Sequence, residues 1–315
     1  MTTSSTLLNQ GDIVADGRYS LIGRYEADRE TGMEFWRARD LRVNRDVALT
    51  ILTGDRKDPA AVDRARRVAD MARRTEGVAH PALARLLDVL GPDDGEAVAR
   101  AGVLGLIVAE WTEGASVPEV LRNGPVSANN CRRMLRPLVS AVDRAHHAGL
   151  VVGADPRHIR VSPRGVLTLA FPGAAPDAEA RDDVRGLGAL LYLLLTGSLP
   201  GQPLVPPSSL RPELPRDLSL VTVLILDDTA VGSIRTAGVL LRVLDQTKHE
   251  DESTNPLPAI PSGGSGPPKQ RTGPARERTL RGRKRAERTG QHPVQAPPVQ
   301  PPPVQPPPES DAERT

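Results

Sequence analysis

Asp182-Asp-Val-Arg-Gly-Leu-Gly-Ala-Leu-Leu-Tyr-Leu-Leu-Leu-Thr-Gly-Ser-Leu-Pro200 is the most apolar helix candidate in the chain. Asp182 or Asp183 can cap its first turn, Gly197 can take the left-handed position after its last turn, and Pro200 blocks continuation. Apolar residues cover nearly the whole circumference, so such a helix must be buried on every side. The run is too short to cross a bilayer. The spacing therefore predicts the central post of a soluble domain, with other elements packed around it.

Working outward, short alternating apolar pieces predict three strands in the stretch from Tyr19 to Leu52, joined by turns near Gly32 and Asn44. An Arg-rich amphipathic helix follows from Asp58 to Arg74, with Pro59 at its start. Ala82 to Val89 and Val103 to Glu110 read as two more strands, split by the turn Gly91-Pro-Asp-Asp-Gly95. Helices are expected from Val117 to Arg122, from Asn129 to His147 with Ser127 as cap, and from Leu218 to Leu226.

The 315 residues carry a net charge of +2, unevenly spread, with few aromatics. Cys131 is alone, which excludes an intrachain disulfide and a paired-thiol metal site and suits a reducing compartment. Met1 to Gly11 lacks the basic start and apolar core of a signal peptide, and no stretch reaches transmembrane length. Beyond Gln246 aromatics vanish and prolines crowd in. Lys269 to Arg288 is a basic run, and Pro293 to Pro308 repeats Pro-Val-Gln. This tail cannot bury enough apolar surface to fold.

Asp183, Gly188, Tyr192, Leu194, Leu195, Thr196, Gly197 and Pro200 stand where bacterial Ser/Thr protein kinases carry SDVYSLG-x-x-LYELLTG-x-x-P in the central helix of their larger lobe. Arg45-Asp-Val-Ala-Leu, His80-Pro81, Ile107-Val-Ala-Glu-Trp-Thr-Glu-Gly114 and Ala141-Val-Asp-Arg-Ala-His-His-Ala-Gly-Leu150 resemble that family's third strand, helix end, hinge and approach to the catalytic loop. The resemblance covers about Gly11 to Gln246. It implies an α+β, two-lobed protein-kinase-like fold, with a small β-rich lobe over 12–110 and a larger helical lobe over 111–247. Residues 1–11 are expected to be a disordered N-terminus and 248–315 a disordered Pro-rich, basic tail. Asp183 is then a structural support behind the catalytic loop.

The catalytic positions are degenerate. The stretch from Gly23 to Gly32 lacks the middle glycines of a phosphate-covering loop and carries acidic side chains instead. Thr50 replaces the phosphate-pairing Lys and offers one uncharged hydroxyl. The Lys-pairing Glu would fall near Arg66 to Val68, where nothing is acidic. The catalytic-loop region is one residue short. In one register His158 replaces the metal-binding Asn and Asp155 falls on the motif Lys. In another, Asp155 lies near the catalytic Asp. Of Asp-Phe-Gly only Phe171 survives, between Ala170 and Pro172. No catalytic residue, metal or cofactor is expected. The alternative is a divergent active kinase that binds Mg-ATP with Asp155 as base.

Glu34-Phe-Trp-Arg-Ala-Arg-Asp, Val47-Ala-Leu-Thr-Ile and Leu169-Ala-Phe-Pro-Gly are similar to the intracellular pseudokinase region of the actinobacterial lipid II flippase of peptidoglycan synthesis. That resemblance implies a scaffold. A Ser/Thr kinase phosphorylates a tail threonine and a forkhead-associated (FHA) domain protein docks on it, in the cytoplasm or at the inner face of the membrane. The flippase-type members continue into membrane helices, so the chain reads as a free-standing version or a fragment ending before one. Thr254 is the candidate phosphoacceptor, preceded by Glu250-Asp-Glu and followed by Leu257 three residues on. A polybasic adaptor for anionic membrane is a further alternative. Nucleic acid is not an expected partner, since the tail has no aromatics for stacking.

Overall fold

Short apolar segments up to Glu110, alternating in β3 and buried on both faces in β4 and β6, close into one antiparallel sheet. Its strands are β1 (Ile13–Val14), β2 (Tyr19–Asp28), β3 (Met33–Asp40), β4 (Arg45–Thr53), β5 (Leu86–Leu90) and β6 (Val103–Glu110), in the order β1-β2-β3-β4-β6-β5. The computed structural model describes residues 8–28, 31–98, 100–173 and 177–246. Thr254, the basic run and the Pro-rich repeat lie outside the described residues.

Helix α1 (Pro59–Thr75) covers one face of this sheet. Asp58 caps it by accepting from the Ala60 amide at 3.0 Å, and Pro59 sits where no intrahelical donor is needed. Ala61, Ala65, Val68, Ala69 and Ala72 form its buried stripe and pack with Phe35, Leu52 and Leu104. Small side chains on α1 let the helix lie close against larger ones from the strands. The opposite sheet face buries Tyr19, Leu21, Trp36, Leu49, Ile51 and Val108.

The larger lobe begins with β7 (Ala115–Ser116) and α2 (Val117–Leu121), whose first turn is closed by a reciprocal Ser116–Glu119 capping box. It continues with α3 (Ala128–His147), β8 (Ile159–Val161), β9 (Leu167–Leu169), α4 (Ala180–Thr196), α5 (Pro207–Leu210), α6 (Arg216–Leu226) and α7 (Ala237–Gln246). Helix α4 is the expected post. Val184, Leu187 and the whole run Leu190–Leu195 are buried, with α3, α5 and α6 around it. Gly197 closes it in the left-handed conformation, φ 83°, which a Cβ would penalise.

Three local readings are corrected. Glu179, not Asp182 or Asp183, is the N-cap of α4; Asp182 sits at the third helical position and accepts from the Glu179 amide at 2.9 Å. Asp183 is 1% exposed and engaged elsewhere. The strand expected from Ala82 starts only at Leu86, because Ala82 and Ala84 spend their backbone groups on Leu169 of β9, at 2.9 Å each. This pairing ties the small lobe to the large one. Ser127 holds the cap position of α3, but its hydroxyl makes no bond. Among the described residues no helix is long and apolar enough to cross a membrane.

Candidate functional site

The loop from Val152 to Asp155 is anchored from below by Asp183. Its Oδ2 accepts from the Val152 amide at 3.0 Å and its Oδ1 from the Ala154 amide at 2.8 Å, while His146 Nε2 approaches Oδ2 at 2.9 Å. A carboxylate this deeply buried needs such donors to offset its desolvation. Helix and loop come so close that a Cβ on Gly186 would lie 1.8 Å from the Ala154 carbonyl oxygen. Gly186 stands where the kinase pattern has Ser, and the shortened loop settles into the space that the missing side chain leaves.

Around this anchor the structure gathers the positions singled out from sequence. Thr50 is buried on β4, paired across the sheet with Phe35 of β3 and Ile107 of β6. Arg66 on α1 is committed to Asp63 and Asp93, and Val68 is core. The His158 carbonyl accepts from the Ala170 amide at 2.9 Å, so these two positions are neighbours, holding an imidazole and a methyl group. Asp155 opens a short 3-10 turn, Pro156–His158, by accepting from the Arg157 amide at 2.8 Å. The Arg157 guanidinium also pairs with Asp155, at 2.7 Å, and reaches across to Glu26 of β2. Burial works to raise the Asp155 pKa, but its bonds to Arg157 outweigh this and hold the carboxyl below the usual range. That makes Asp155 a weak proton acceptor. Pro172 lies beyond Phe171, at the end of the strand-like run.

Aromatic side chains from distant segments meet in part of the space between the lobes. The chain has two Phe, two Trp and three Tyr. Both Phe, one Trp and one Tyr meet here. Phe35 and Phe171 stand edge to face, with ring centroids 5.6 Å apart. Tyr25 lies 5.6 Å from Phe171 and 5.7 Å from Trp111, and the His158 ring lies 4.0 Å from Phe35. Tyr25 falls in a bulge of β2, between the paired residues Arg24 and Glu26, which re-aims its ring. Burial pushes its phenol pKa up against the pull of Arg160, so it stays neutral.

Arg160, 5% exposed, locks the cluster to the hinge. Its guanidinium lies 4.4 Å from the Trp111 ring centre and 5.3 Å from that of Tyr25. It donates to the Thr112 carbonyl at 2.8 Å, to the Tyr25 hydroxyl at 2.7 Å and to the Gly114 carbonyl. Tyr25, Phe35, Trp111 and Arg160 are the site residues that sequence reasoning missed. For the three aromatics the only sequence signal was scarcity, since each one is informative in a chain so poor in them; Arg160, one of many arginines, gave none.

This set does not fit a metal-bound triphosphate. Thr50 brings no charge and Ala170 no oxygen. Among the described residues no group of three or more His, Cys, Asp or Glu is placed to hold a metal ion. A cavity of about 620 Å³ remains between the lobes, lined by Asp28, Met33 and Phe35 on one side and the 153–158 loop on the other, but its lining arginines are already paired, Arg157 with Asp155 and Glu26, Arg185 with Asp182 and Asp228. Opening the cluster for a purine would forfeit ring contacts worth ~1 kcal/mol each. It would also strip Arg160 of its acceptors, at ~1–3 kcal/mol for each group left unpaired.

The fold is a two-lobed protein-kinase-like fold, and the comparisons with known proteins agree. The chain is 29% identical to the serine/threonine-protein kinase PknB of Mycobacterium tuberculosis over 217 residues, covering 57% of this chain and 33% of that protein. It is 28% identical over 222 residues to the putative CBL-interacting protein kinase 27 of Oryza sativa subsp. japonica, covering 59% of this chain and 52% of that one. It thus spans about a third to a half of the length of these relatives. A double mutant of the Mycobacterium tuberculosis PknI kinase domain superposes with a TM-score of 0.56 at 16% identity, covering 76% of this chain and 99% of that chain. Rad53 in complex with AMP-PNP gives 0.55 at 14%, covering 74% and 66%. No family model matches the chain.

Proposed function

We propose that this chain is a catalytically inactive kinase-like scaffold that docks a phosphothreonine-reading, FHA-type partner in the regulation of cell-wall synthesis. The observation that carries the loss of catalysis is the missing charge: Thr50 and Ala170 stand where charge is needed, and Phe35, Phe171, Tyr25 and Arg160 crowd the hinge side of the cleft. Phosphoryl transfer is mostly positioning and charge neutralisation, and both are missing here. The resemblance of the strand and Leu169–Gly173 segments to the flippase pseudokinase supports the cell-wall context. The docking switch rests on Thr254, whose acidic lead and Leu257 suit a kinase and an FHA domain in turn. Phosphorylation would add roughly −1.5 to −2 charges for partner arginines to grip.

The test has two arms. Label transfer from Mg-ATP to the chain or to a generic substrate is expected to be absent; transfer abolished by Asp155→Asn would overturn the inactive reading. In the second arm a cognate Ser/Thr kinase phosphorylates the protein, and FHA-domain binding is compared for wild type and Thr254→Ala. Binding by the wild type alone is the expected result, and equal binding by the Ala variant would remove Thr254 from the switch.

A further inference from the structure

Helix α6 (Arg216–Leu226) reads Arg-Asp-Leu-Ser-Leu-Val-Thr-Val-Leu-Ile-Leu, with apolar residues on every side. A helix of that pattern is expected to be covered all round. Its inner side is covered. Leu218, Val221 and Ile225 are buried, and Ile225 sits over Gly188 of α4, where a Cβ would lie 2.3 Å from the Ile225 side chain. Its outer side is not. Leu220 is 57% exposed and Val223 is half-buried. Among the described residues, Leu220 is the one exposed large apolar side chain carried by a helix longer than a single turn.

Arg216, Leu220, Val223 and Asp227 follow one another at spacings of four, three and four residues. At the helical period these four positions share one stripe, opposite the buried side. The stripe is symmetric about its midpoint: Arg216 and Asp227 stand equally far from it, and so do Leu220 and Val223. Laid antiparallel on a copy of itself, it sets each arginine against an aspartate and each leucine against a valine. Both charges also lie at the wrong ends of their own helix. A cation at the N-terminus and an anion at the C-terminus oppose the backbone dipole. In an antiparallel pair each stands beside the opposite end of the neighbouring helix, where its sign is favourable. Asp227 is ionised at pH 7, because the Thr229 hydroxyl at 2.6 Å and amide at 2.9 Å bond its carboxylate and hold its pKa below the usual range.

We propose that the outer stripe of α6 is a self-pairing surface, on which a second copy of this chain lays its own α6 antiparallel. Such a contact is isologous: the same patch serves both copies, and each pair of residues occurs twice. A single helix pair falls below the ~1,200 Å² of stable interfaces, so the dimer is weak and forms reversibly. None of the four stripe residues lines the cavity between the lobes, and the surface stands independently of whether the chain is catalytically inactive.

Sedimentation equilibrium of the full chain, from low micromolar to near-millimolar concentration, reads the pairing. The average mass is expected to rise with concentration from one chain toward two. Leu220→Glu should keep the melting temperature, since that side chain is already exposed, and hold the mass at one chain. Arg216→Glu alone and Asp227→Arg alone each set like charges face to face and should weaken pairing at least tenfold. An equimolar mixture of these two variants restores opposite charges at both ends and should pair as the wild type does. Should Asp227→Arg lower the melting temperature, Leu220→Glu mixed with Val223→Lys gives the same rescue at positions outside the helix ends. A mass that stays at one chain throughout, pairing that survives Leu220→Glu, or a mixture of folded variants that pairs no better than its components would overturn the proposal.

Discussion

Asp183 and Gly186 fix where the loop above α4 can lie, one by attraction and one by absence. Asp183→Ala removes the acceptor for the Val152 and Ala154 amides and leaves both donors buried. The expected cost is about 3 kcal/mol, from two unsatisfied buried donors and the lost charge-assisted bonds. Urea unfolding measures it, and a loss under about 1 kcal/mol would show that the loop finds other acceptors. Gly186→Ala should cost about 1–3 kcal/mol by overpacking, because its Cβ would meet backbone, which cannot rotate away. A melting temperature equal to that of wild type would contradict the close approach.

At the scale of elements, β8 and the turn before it do the work that joins the lobes. Arg160→Met keeps the length of the stem but strands the Thr112 and Gly114 carbonyls. Amide exchange in 111–116 should rise at least tenfold, against unchanged exchange in α4; no change in the hinge would exclude the clamp. The turn Pro156–His158 adds a pH-dependent part. The Asp155 pKa is lower in the folded state than its unfolded value of about 3.9. Its contribution is therefore complete above about pH 5 and fades as pH falls through the native value. Asp155→Asn should flatten stability against pH in that acid window and leave the slope above pH 5 unchanged, which acid titration of the melting temperature would check.

The elements themselves were largely legible. Helix α4 announced itself by an apolar circumference and a Gly-Pro stop, and β4 by its β-branched run. The exchanges at Thr50 and Ala170 could be read because one lies inside β4 and the other directly follows β9. The crowding of the cleft could not. Tyr25, Phe35, Trp111, Arg160 and Phe171 come from five separate segments, and their meeting depends on a bulge and on the lobes' mutual placement. Arg160 in particular sits in Ile159-Arg-Val161, where a charged residue on a short strand reads as an outward-facing side chain. In the fold it is buried between two rings and two hinge carbonyls.

For the molecule as a whole, the chain's own side chains bridge the two kinase-like lobes, and on the proposed reading they stand in place of a nucleotide. The direct measurement is thermal unfolding of the full chain with and without Mg-ATP, at millimolar concentration. A nucleotide bound with a dissociation constant one-hundredth of its concentration would add ~2.7 kcal/mol. For a domain of this size that is a rise of roughly 5–10 °C. The missing charges and the crowded hinge side of the cleft predict no saturable change in melting temperature with Mg-ATP. A saturable rise of several degrees, lost when the metal is chelated, would contradict it.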